Sequence, residues 1–142
     1  MWTKRNSKDG IERALKLQSR GEARIDGLKI VSARTRLDIT WAARDVHPWD
    51  RHGSQEQTGA QFVRQALNDA EVAITRLFDN LPDIDEIAVS VLESGSDKII
   101  MAGTVHRSSL ANQTAASVKM RLMNWGIRFS LAGSYFEPVS DR

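Results

Sequence analysis

The stretch TVHRSSLANQ, residues 104–113, runs an apolar segment into a histidine, an arginine and two serines just before a helical pattern begins. Those residue types suit an anion. A helix starting at Ser108 or Ser109 turns its free N–H groups and the positive end of its dipole towards the residues that precede it. Arg107, with Arg44 or Arg51, then offers planar forks for a phosphate or carboxylate, and His106 stands beside them. The anion candidates are therefore Arg44, Arg51, His106, Arg107, Ser108 and Ser109. The plainer reading is a capped strand-to-helix corner whose arginines pair with Asp45 and Asp50, and the residue types favour it.

Two further chemistries draw on the same set. His47, His52, His106 and Asp50 are types that bind zinc or iron. His47 and His52, however, are separated by a proline-containing loop instead of one helical turn, so neither a metal nor any other cofactor is expected. Ser108 or Ser109 with His106 and an aspartate has the composition of a nucleophile triad. No G-x-S-x-G elbow, P-loop or G-x-G-x-x-G fingerprint accompanies it. The count of zero cysteines removes thiolate nucleophiles, thiolate metal sites and disulfides. A binding role is expected ahead of an enzymatic one.

The elements that must position these residues can be read from periodicity. Leu37, Ile39, Trp41 and Ala43 alternate with Arg36, Asp38, Thr40 and Arg44, which predicts a strand that Pro48 ends. Gly53 and Ser54 supply a turn and a cap for a helix over 55–80, with Phe62, Val63, Ala66, Leu67, Ala70, Ile74, Leu77 and Phe78 as its apolar stripe. Residues 85–107 read as two strands around the turn SGSD. A second helix is predicted over 108–125, stopped by Gly126, and a last strand carries Ile127, Phe129 and Leu131. Residues 22–33 extend the first strand or add a hairpin, with Asp26 and Gly27 as a turn or bulge.

Strand, helix, strand, strand, helix, strand is the order of the ferredoxin-like split βαβ arrangement, an α+β fold with both helices on one face of an antiparallel sheet. Right-handed crossovers are expected to set the strands ending at Val46 and at Val105 side by side and parallel. Their ends would bring His47, His52 and His106 to one rim with Arg44, Arg51 and Arg107. The expected organisation is a lead-in over 1–21, a short helix or disordered, and one domain over 22–142.

The 142 residues suffice for one hydrophobic core, and 41% apolar with 27% charged residues is the balance of a globular chain. No apolar run is long enough to span a membrane and no secretory signal is apparent, so the expected location is cytoplasmic. Charge is laid out in blocks: ten basic against four acidic residues over 1–36, four against twelve over 37–97, and six against two over 98–142. Such a chain can pair its ends with its own middle or with another subunit, although the plainer and favoured reading is that these charges are solvated surface.

One face of the sheet is expected to stay bare. It would carry small, hydroxylic and basic residues: Arg36, Asp38, Thr40, Ala42, Ala88, Ser90, Ala102 and Thr104 among them. No stacking aromatic stands on it, which argues against the usual single-strand RNA mode. Backbone contacts to nucleic acid remain the alternative role, through Lys4, Arg5, Lys8, Arg13, Lys16, Arg20, Arg24, Arg36 and Arg128. The favoured expectation is a small binding or assembly domain, homo-oligomeric through the bare face, with Trp2, Trp49, Tyr135 and Phe136 as candidate anchors.

Overall fold

A computed structural model describes residues 26–32, 35–46, 53–111 and 117–139. The chain is α+β. Strands β1 (Asp26–Ser32), β2 (Arg36–Ala42), β3 (Glu86–Leu92) and β4 (Ile99–His106) form one sheet in sequence order. Helix α1 (Gln55–Asn80) joins β2 to β3, which are parallel neighbours. A 3₁₀ turn (Arg107–Ala111), helix α2 (Val118–Trp125) and a separate hairpin, β5 (Ser130–Ala132) and β6 (Tyr135–Glu137), complete the described part.

Alternation is what makes the strands. Leu37, Ile39 and Trp41 on β2 and Ile87, Val89 and Val91 on β3 are buried, while the residues between them are half-buried. The buried set meets Ala66, Ala70, Ile74, Leu77 and Phe78 of α1 and Leu122 and Trp125 of α2, so the core lies between the sheet and the helices. Helix α1 begins as expected, with a reciprocal capping box: the Ser54 hydroxyl accepts from the Gln57 amide and the Gln57 side chain accepts from the Ser54 amide.

The strand order differs from the ferredoxin-like one. One edge of β2 is taken by β1 in an antiparallel hairpin with an irregularity between Asp26 and Lys29. Its other edge receives β3 directly, through the α1 crossover. Strand β4 then folds back antiparallel on β3, so the strands that were expected to be parallel neighbours are separated by β3 and run in opposite directions. The last stretch does not form a full fourth partner. Among the described residues Arg128 makes the one β-bridge to β4, through two backbone hydrogen bonds with Ala102, before the chain leaves for the hairpin.

The second helix is also shorter than expected. Ser108 and Ser109 lie in the 3₁₀ turn, and α2 starts at Val118 with Ser117 as its N-cap. Gly126 ends it in the left-handed region (φ 102°), as its position in the sequence predicts. No described helix is long and apolar enough to cross a membrane.

Candidate functional site

The reversal of β4 takes the expected rim apart. Register sets His106 opposite Glu86, and Glu86 opposite Arg36, at the beginning of β2. Arg44 follows the other end of that strand. His106 and Arg44 therefore stand at opposite edges of the sheet, and the parallel neighbours that would have joined them do not exist. His47, Asp50, Arg51 and His52 lie outside the described residues, as do Trp2, Trp49 and the basic positions Lys4, Arg5, Lys8, Arg13, Lys16, Arg20 and Arg24. Among the described residues no group of three or more His, Asp or Glu could hold a metal ion.

The two described arginines proposed for an anion, Arg44 and Arg107, are occupied by the fold. Arg107 aims its guanidinium at the carboxyl end of α1. Its Nε donates to the Ile84 carbonyl at 2.9 Å, one terminal nitrogen to Phe78 at 3.0 Å, and the other to Leu81 at 2.8 Å and Ile84 at 2.6 Å. Its Cζ also lies 4.9 Å from the centre of the Phe78 ring. Arg44 forks onto Asp69 of α1, with bonds of 2.7 and 3.1 Å. Ser108 is exposed and Ser109 half-buried, both in a five-residue 3₁₀ turn rather than at the start of a helix.

Two other places gather polar residues. The first is the face of the sheet turned away from the described helices, where a shallow hollow of about 610 Å³ is lined by Arg36, Asp38, Thr40, Ala88, Ser90, Thr104 and Arg128; Ala102, expected on a bare face here, is buried. At one end of this face Arg36 donates to Asp38 at 2.7 Å and lies 3.7 Å from Glu86, which in turn lies 3.7 Å from His106. The hydrogen bond and charge of Asp38, with a smaller contribution from Glu86, raise the Arg36 guanidinium above its ordinary value. Arg36 thus stays charged and is ion-paired by its neighbours on the face expected to be basic. The sequence marks Glu86 only by its place on the polar phase of the strand.

The second is a cleft of about 710 Å³ at the carboxyl ends of β2 and β3. Asp45 follows β2, Glu93 and Ser94 follow β3, and the first turns of α1 contribute Thr58, Gly59 and Phe62. Tyr135 and Phe136 of the hairpin close the far wall. The hairpin can come this close because Gly59 has no side chain: a Cβ there would sit 3.0 Å from the Ser134 carbonyl oxygen and 3.1 Å from the Tyr135 ring. The Phe136 ring meets Phe62 edge-on at 6.2 Å and Phe129 at 6.3 Å. Parallel strands joined by a helix commonly bind ligands at this edge, where strand ends and a helix start leave a crevice.

No family model matches the chain, and neither a curated protein nor a solved structure matches it at a significant level.

Proposed function

We propose that the chain is a non-enzymatic binding and assembly domain of the cytoplasm, and that it self-associates through the bare face of its sheet. The observation that carries this reading is the composition of that face. The described helices pack on the opposite side, while Thr40, Ala88, Ser90 and Thr104 present only short side chains around the hollow. Short side chains allow a second sheet to approach to about 10 Å, the usual spacing of packed sheets. The charges at the end of the face include both signs, Arg36 with Asp38 and Glu86, which suits a two-fold contact of the face with itself.

Size sets the strength. Four strands about 4.8 Å apart and seven residues long at about 3.3 Å each make a footprint of roughly 450 Å² per copy. That is at the small end for a specific interface, so the expected dimer is reversible and concentration-dependent. Sedimentation velocity from micromolar to sub-millimolar concentration tests it. A monomer–dimer equilibrium is expected, abolished by Ala88→Arg at the centre of the face and kept by Ala88→Ser. Thr40→Lys serves as the second disrupting variant. A strict monomer throughout, or dimerisation untouched by both disrupting variants, would sink the reading.

A further inference from the structure

We propose that the cleft at the carboxyl ends of β2 and β3 binds a small organic cation, an ammonium or guanidinium group carried on a flat apolar body. Charge decides the sign of the ligand. The cleft has two carboxylates, Asp45 and Glu93, and no lysine or arginine among its described lining residues. Against these stands the start of α1, whose dipole is worth roughly half a positive charge. Even that is partly spent, because Ser54 and Gln57 close the capping box and Glu56 sits in the first turn.

The two carboxylates are not equivalent. Asp45 already accepts from the Val46 amide at 2.8 Å. Glu93 is half-buried, and among the described residues its carboxylate has no hydrogen-bond or ion-pair partner. Its backbone is held firmly, donating to the Lys98 carbonyl at 2.8 Å and accepting from Ser96 at 3.1 Å, so the side chain starts from a fixed base. An anion would meet this charge with only the partly satisfied start of α1 to offset it among the described residues. A neutral apolar ligand would strip water from the carboxylate and leave it unpaired, which is costly.

The rest of the lining accounts for the apolar body. Phe62 and Phe136 form an edge-to-face pair beside the cleft, and Tyr135 stands at its mouth, 53% exposed. Aromatic faces attract cations and bury flat groups alike. A volume of about 710 Å³ is within the range of ordinary small-molecule sites.

The test compares phenethylammonium with phenylacetate, which share a ring and differ in the sign of charge, by amide NMR titration of the full chain. Phenethylammonium is expected to shift residues 53–59, 93–94 and 135–136. Glu93→Gln is expected to weaken it about tenfold and Tyr135→Ser roughly threefold, both variants retaining the wild-type dispersion of shifts. If one variant fails to fold, the other is read. Phenylacetate binding as well as the cation, affinity unchanged in the folded variants, shifts confined elsewhere, or no response to millimolar phenethylammonium would each overturn the proposal.

Discussion

Arg107 supplies at the end of the long helix what the helix lacks in itself. The last turn of α1 has no basic residue, and its Phe78 carbonyl takes Arg107 as partner, as do the Leu81 and Ile84 carbonyls of the chain just beyond the helix. The arginine reaches them from the strand-to-turn junction 23 to 29 residues away. Arg107→Met should cost about 3 kcal/mol, lowering the melting temperature by roughly 6–12 °C, since several charge-assisted bonds go and their acceptors stay buried. Arg107→Lys should recover less than half, because an ammonium cannot reproduce the fork. Thermal unfolding followed by circular dichroism checks both, and a methionine variant as stable as the parent would disprove the role. The sequence shows that an arginine stands before two serines, but not which way it turns. Its acceptors are carbonyls, which every residue has, so they leave no mark in composition. The same holds for Glu93, whose neighbours in the cleft come from four separate stretches of chain.

At the scale of elements, periodicity was a reliable guide and pairing was not. The helix over 55–80, its Ser54 cap and the buried phases of β2 and β3 follow from spacing alone. Which strands become neighbours depends on edges. The hairpin β1–β2 leaves β2 only one free edge, and the helix crossover delivers β3 to it, so β4 cannot lie there. The shortened second helix has a similar cause: the segment after His106 first tightens into a 3₁₀ turn, carrying Ser108 and Ser109 away from any helix start. One element-level signal was open to reading, a glycine inside a strand. Gly103 faces the chain after α2 so closely that a Cβ there would lie 2.2 Å from the Gly126 carbonyl oxygen and 2.9 Å from the Ile127 Cα. Both atoms are backbone and cannot rotate aside. Gly103→Ala should therefore push residues 126–128 off β4, losing the paired bonds between Ala102 and Arg128 and about 2–3 kcal/mol of stability. Loss of cross-strand NMR contacts between Ala102 and Arg128, together with a lower melting temperature, is the expected result; an unchanged spectrum would show that the close approach is relaxed in solution.

Across the whole molecule, two described arginines of the basic blocks pair with carboxylates of the acidic middle. Arg121 of the basic C-terminal block forks onto Glu71 of the acidic middle, tying α2 to α1, and that hydrogen-bonded carboxylate raises its guanidinium above the ordinary value. Arg36 of the N-terminal block meets Asp38 and Glu86 in the same way. Stability is nevertheless unevenly spread. Strand β3 is hydrogen-bonded on both sides, and Ile87, Val89 and Val91 are at most 2% exposed, so its amides can exchange only when the sheet opens as a unit. The β5–β6 hairpin has strands of three residues paired only with each other, too little to stand alone. It is held by the half-buried Phe129, Leu131 and Phe136 and by a bond from the Val139 amide to the Ile99 carbonyl. Hydrogen exchange should therefore show residues 130–137 opening orders of magnitude faster than β3, without unfolding of the sheet. Protection of the hairpin equal to that of β3 would mean one cooperative unit and contradict this ranking. The difference bears on the cleft, because the hairpin is its far wall. A ligand seated between Glu93 and Tyr135 binds only the docked hairpin, so phenethylammonium should slow exchange at 130–137 and leave β3 nearly unchanged.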